Sequence, residues 1–113
     1  MGDLKKLLDK YGRCIEAFGT VTLYPPVICK DGYFMSIQAS KFHHCEPKET
    51  LKTFDYDTVE VRCLEDDATE LTEYEGNDKK FYYNVPVEVI ENIIKKHGGI
   101  DEQAVVDIIL KKF

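Results

Sequence analysis

The sequence predicts an α+β domain with an N-terminal helix, about four strands in an antiparallel sheet, and two C-terminal helices packed on one face. Three observations predict it. Apolar residues fall at helical spacing near both ends of the chain and at strand spacing between them. The strand-like segments follow one another without βαβ alternation, so they should pair antiparallel. The 113 residues are 43% hydrophobic and 32% charged, which suits a single folded domain over 1–113 and excludes a disordered chain.

Leu4, Leu7, Leu8 and Tyr11 form one stripe of an amphipathic helix, with Asp3 as N-cap and Gly12 as stop. Ile15 and Phe18 continue the stripe, which argues for a helix running past Gly12. From Gly19 the period changes. Residues 20–24, Thr-Val-Thr-Leu-Tyr, read as a strand that Pro25-Pro26 ends. Asp31-Gly32 between two apolar runs marks a hairpin. Its second arm places Tyr33, Met35, Ile37 and Ala39 on one face.

Residues 40–56 read as polar and irregular, with Pro47 near their middle. A further strand points Val59, Val61 and Cys63 one way and Glu60 and Arg62 the other, and 81–85 read as the last strand. Pro86 suits the first turn of a helix whose apolar face is Val87, Val89, Ile90, Ile93 and Ile94. Lys95, Lys96 and His97 favour its C-terminal dipole, and Gly98 suits its C′ position. Asp101 caps a final helix carrying Val105, Val106, Ile108, Ile109 and Phe113. That face is either core or a subunit contact, which would make a homo-oligomer.

No signal-peptide run or membrane-length apolar stretch is visible, so the expected compartment is the cytoplasm, with reduced cysteines. Net charge is −6, which argues against a generic nucleic-acid binder needing a basic face. The charge is concentrated. Residues 65–78 hold seven acids and no base, and the remainder holds fourteen acids against fifteen bases. Repulsion this dense calls for a solvated segment, either a polar loop or an anionic patch offered to a basic partner. The candidate partner-binding residues are Glu65, Asp66, Asp67, Glu70, Glu73, Tyr74 and Glu75. Tyr56, Tyr82 and Tyr83 border the segment, as recognition aromatics or as ordinary cross-strand packing.

His43-His44-Cys45 is the densest set of candidate metal ligands, with Cys29 and Cys63 available to complete a tetrahedral site. Adjacent His-His-Cys is not a zinc spacing, so the segment reads instead as a polar loop with one buried thiol. A nucleophile on Cys45 with His43, His44 or His97 has no recognisable oxyanion loop beside it. No Walker loop or GxGxxG is present, and Arg13 and Arg62 are the only arginines. No cofactor and no enzymatic activity are expected.

Several segments together resemble small proteins encoded by phages and prophages of Firmicutes. They are 7–12 (LLDKYG), 19–32 (GTVTLYPPVICKDG), 35–40 (MSIQAS), 43–47 (HHCEP), 83–90 (YNVPVEVI) and 96–100 (KHGGI). The resemblance covers most of residues 4–100, and 48–80 diverge. It supplies no catalytic residues. It implies an anti-defence protein in the bacterial host cell, binding a host protein, most specifically an anti-CRISPR whose acidic surface mimics DNA before a Cas nuclease. The alternatives are a nucleotide-signal sponge using aromatics and lysines, and a phage accessory protein of structural or regulatory role.

Overall fold

A computed structural model describes residues 2–16, 20–51, 53–63, 69–76 and 81–112. Helix α1 (Gly2–Tyr11) buries Leu4, Leu7 and Leu8, the predicted stripe. It starts at Gly2, so Asp3 lies in its first turn and is not its cap. It does not run on through Ile15. Gly12 N–H closes the last turn on Leu8 O at 2.8 Å, and the ring of Tyr24 lies 3.0 Å from where a Gly12 Cβ would sit. The chain then turns into β1 (Arg13–Glu16), paired antiparallel with β2 (Thr20–Leu23), with Ile15 opposite Val21. Phe18 lies outside the described residues.

The main sheet runs β3 (Val27–Ile28), β4 (Phe34–Gln38), β5 (Thr58–Cys63) and β6 (Phe81–Pro86) in that order, all antiparallel. The predicted hairpin joins β3 to β4. Its turn closes by Gly32 N–H to Cys29 O and Cys29 N–H to Tyr33 O. Gly32 supplies the positive φ, 94°, that a side chain would resist.

Alternation along the strands puts Met35, Ile37, Val59, Val61, Tyr82 and Val85 on one buried face. The step from Tyr82 to Val85 spans three residues, while their partners Val61 and Val59 are two apart. One residue is therefore extra in β6, and Asn84 absorbs it at φ 52°. Without that bulge, Tyr82 and Val85 would point to opposite faces.

Helix α2 (Val87–Lys96) adds Ile90, Ile93 and Ile94 to the core. Pro86 precedes it and is not in its first turn. The helix ends in paired bonds, Gly99 N–H to Ile94 O and Gly98 N–H to Lys95 O, with Gly98 at φ 90°. Asp101 caps α3 (Glu102–Lys112) as expected, its Oδ1 accepting from Ala104 N–H at 3.1 Å. Val105 of α3 is in the core and Ile109 packs against it, whereas Leu110 is 80% exposed. Phe113 lies outside the described residues.

The segment between the helices does more than connect them. Ile100 bridges Cys29, Lys30 N–H reaches Gly99 O, and Asp101 N–H reaches Ile28 O. Residues 99–101 therefore line the open side of β3. The stretch 40–56 is irregular, but it is not merely polar. Cys45, Phe54, Tyr56 and Ser40 are buried, and the Phe54 ring meets Tyr24 edge-on at 5.4 Å. Helix α1 holds this stretch twice, through Lys5 to Asp55 at 3.0 Å and through Asp9, whose Oδ1 accepts from Phe54 N–H. Among the described residues, no helix is long and apolar enough to cross a membrane.

Candidate functional site

The acidic segment returns along the free side of β6. Its described part begins as a 3-10 helix, Thr69–Tyr74. Glu75 then bridges Tyr82, and Gly76 N–H donates to Phe81 O at 2.8 Å. The expectation of a fully solvated segment is corrected here. Leu71 is completely buried and Tyr74 packs against the core. An apolar side chain between acids gives the segment an anchor, because burying it is favourable by about 1.5–3 kcal/mol. Glu73 and Glu75 remain exposed. Glu70 is half-buried, and its Oε2 accepts from Lys96 Nζ at 3.4 Å, so part of its charge is already answered. Glu65, Asp66 and Asp67 lie outside the described residues.

Tyr83 joins this segment to the His-His-Cys loop. A Cβ on Gly76 would fall 2.5 Å from the Tyr83 ring, so the ring lies against bare backbone. The imidazole of His44 stacks with the same ring at 3.8 Å and 22°. Backbone contacts keep this loop in place, with Asn84 N–H donating to His44 O and His44 N–H to Glu60 Oε1. The exposed rim of β6 thus combines carboxylates with an aromatic pair.

The three candidate metal ligands diverge. His44 is in that stack. His43 Nδ1 lies 2.6 Å from Ser40 Oγ, which also accepts from Phe42 N–H. The hydroxyl thus ties the imidazole to the loop backbone. Burial holds the His43 pKa below its ordinary value, against the pull of Glu60. Cys45 is buried, its Sγ 3.2 Å from Ser40 O and 3.4 Å from Pro47 O, and burial pushes its pKa up. Among the described residues, no three His, Cys, Asp or Glu groups converge on a metal position. The side chain of Cys63 lies outside them.

A second constellation was not expected. His97 Nδ1 and Asp31 Oδ2 are 2.6 Å apart, and the Tyr33 ring stacks on His97 at 4.1 Å and 8°. The Tyr33 N–H, and then His97, hold the Asp31 carboxyl below its ordinary pKa. An aspartate orienting a histidine supplies two of the three members of a nucleophilic triad. The thiol close in sequence argues against completing it. Cys29 is buried, and desolvation followed by the Asp31 charge pushes it up to about 11, the reverse of an activated thiolate. The pair fastens the β3–β4 turn to the end of α2. From sequence, His97 shows its fit to the helix dipole and a candidate role as base to Cys45, and neither points to Asp31. That residue lies in a turn that reads as a turn and nothing more.

No family model, curated protein or solved structure matches this chain.

Proposed function

We propose that the protein is a phage-encoded anti-defence protein, a non-catalytic binding module that inhibits a host immune effector, most specifically a Cas nuclease. The observation that supports this reading is the rim of β6. There, Glu73 and Glu75 are exposed on a backbone fixed by buried Leu71 and by pairing to Tyr82 and Phe81. Carboxylates carried on a fixed backbone can take the place of DNA phosphates before lysines and arginines with only their side chains left to order on binding. The neighbouring Tyr83–His44 stack supplies the aromatic surface that protein interfaces favour.

The test is binding to a purified Cas nuclease, with DNA as competitor, over a range of salt. Changing Glu65, Asp66, Asp67, Glu70, Glu73 and Glu75 to glutamine or asparagine is expected to slow association and flatten its salt dependence. DNA is expected to compete with the unmodified protein. Binding that is unchanged in the neutralised variant overturns the mimicry, and absence of binding overturns the choice of effector.

A further inference from the structure

A cleft of about 420 Å³ opens where α1, the β3–β4 turn and the start of α3 meet. Among the described residues, three ammonium-bearing side chains line it, Lys6 and Lys10 of α1 and Lys30 of the turn, against one carboxylate, Glu102. Leu7 and Ile100 give it apolar walls. Glu102 is engaged already. Its Oε2 accepts from Tyr11 OH at 2.6 Å and Lys10 Nζ at 3.1 Å, and both bonds hold its carboxyl below the ordinary range. Glu102 therefore offsets Lys10. Lys6 and Lys30 have no carboxylate partner among the described residues.

Lys30 is also placed rather than loose. Its backbone N–H is fixed to Gly99 O, and its stem runs past Gly98 and Gly99, whose Cβ positions would lie 3.7 and 4.0 Å from it. Gathering like charges around a concavity costs free energy that an anion would recover. Lysines bind phosphate as point charges, with no need for the forked geometry of arginine. The cleft's volume falls in the range of small-molecule sites, roughly 300–1,000 Å³.

We propose that this cleft binds a small organic phosphate, with the dianion between Lys6 and Lys30 and an apolar body against Leu7 and Ile100. The site is independent of the acidic rim, since it lies at the β3 edge of the sheet and the rim lies at the β6 edge.

The test is calorimetric titration with AMP, inorganic phosphate and adenosine at constant ionic strength. Saturable binding of AMP is expected, with weaker binding of phosphate and none of adenosine. Lys6→Gln with Lys30→Gln should weaken AMP about a hundredfold, at roughly tenfold per charge. Glu102→Gln, which releases Lys10, should tighten it. Lys41→Gln, away from the cleft, should leave it unchanged. Thermal melting of each variant checks folding, which substitution of exposed lysines should spare. No saturable heat with AMP, or unaltered binding in the double lysine variant, overturns the site. Phosphate binding as tightly as AMP overturns the organic part of the ligand.

Discussion

Asp31 and His97, 66 residues apart in sequence, meet through a 2.6 Å bond between Oδ2 and Nδ1. The Tyr33 N–H, and then this bond, lower the Asp31 pKa in the folded protein. A carboxylate depressed on folding contributes stability above its unfolded pKa, and the contribution is lost as pH falls through the folded value. Asp31→Asn should therefore melt below the unmodified protein at neutral pH. The two should converge as the pH drops below about 4. Melting curves across that range check it, and a gap that persists in acid would contradict the linkage.

Leu71→Ala should destabilise the protein by about 2–5 kcal/mol, the usual range for a buried leucine. Urea denaturation measures the loss. A surface loop without an anchor would show almost none.

Gly76→Ala places a methyl group 2.5 Å from the Tyr83 ring, so the ring must leave its seat between Gly76 and His44. A cost of about 1–3 kcal/mol is expected. Adding Tyr83→Ala should remove most of that cost, because the two positions are in contact and not additive. A double-mutant cycle on melting free energies reads the coupling.

Cys29 and Cys45 are buried free thiols. With its pKa pushed up to about 11, Cys29 is thiolate to only about one part in a thousand at pH 8. Both cysteines should resist iodoacetamide in the native protein and react once it is unfolded. Peptide mapping after a timed pulse checks each position. Rapid native labelling of Cys45 would revive the nucleophile that its burial argues against.

Local periodicity carried much of the fold. Leu4, Leu7 and Leu8 mark α1, Asp31-Gly32 marks the hairpin, and Gly98 and Asp101 mark the junction of α2 and α3. The signal fails where a pattern fits two periods. Ile15 suits a helical stripe as well as it suits β1, and the nearby Tyr24 ring and Gly12 decide between them. It fails again at the bulge, since strict alternation separates Tyr82 from Val85 and only Asn84, a residue tolerant of positive φ, hints otherwise. At the rim, the acids are legible, but a single leucine among them carries no period that marks it as an anchor. The Asp31–His97 pair and the lysine cleft stayed hidden because each joins residues from distant parts of the chain. Such meetings depend on topology, which single-sequence periodicity does not encode.

The chain covers both margins of its main sheet with its own later or earlier segments. Residues 99–101 lie along β3, while Glu75, Gly76 and the His44 carbonyl take bonds along β6. Among the described residues, a foreign peptide therefore finds no free ladder along β3 or β6 to extend by strand addition. The recognition proposed for this rim would then run through side chains, and sequence changes at Glu73, Glu75, His44 or Tyr83 would retarget it without disturbing the backbone pairing beneath.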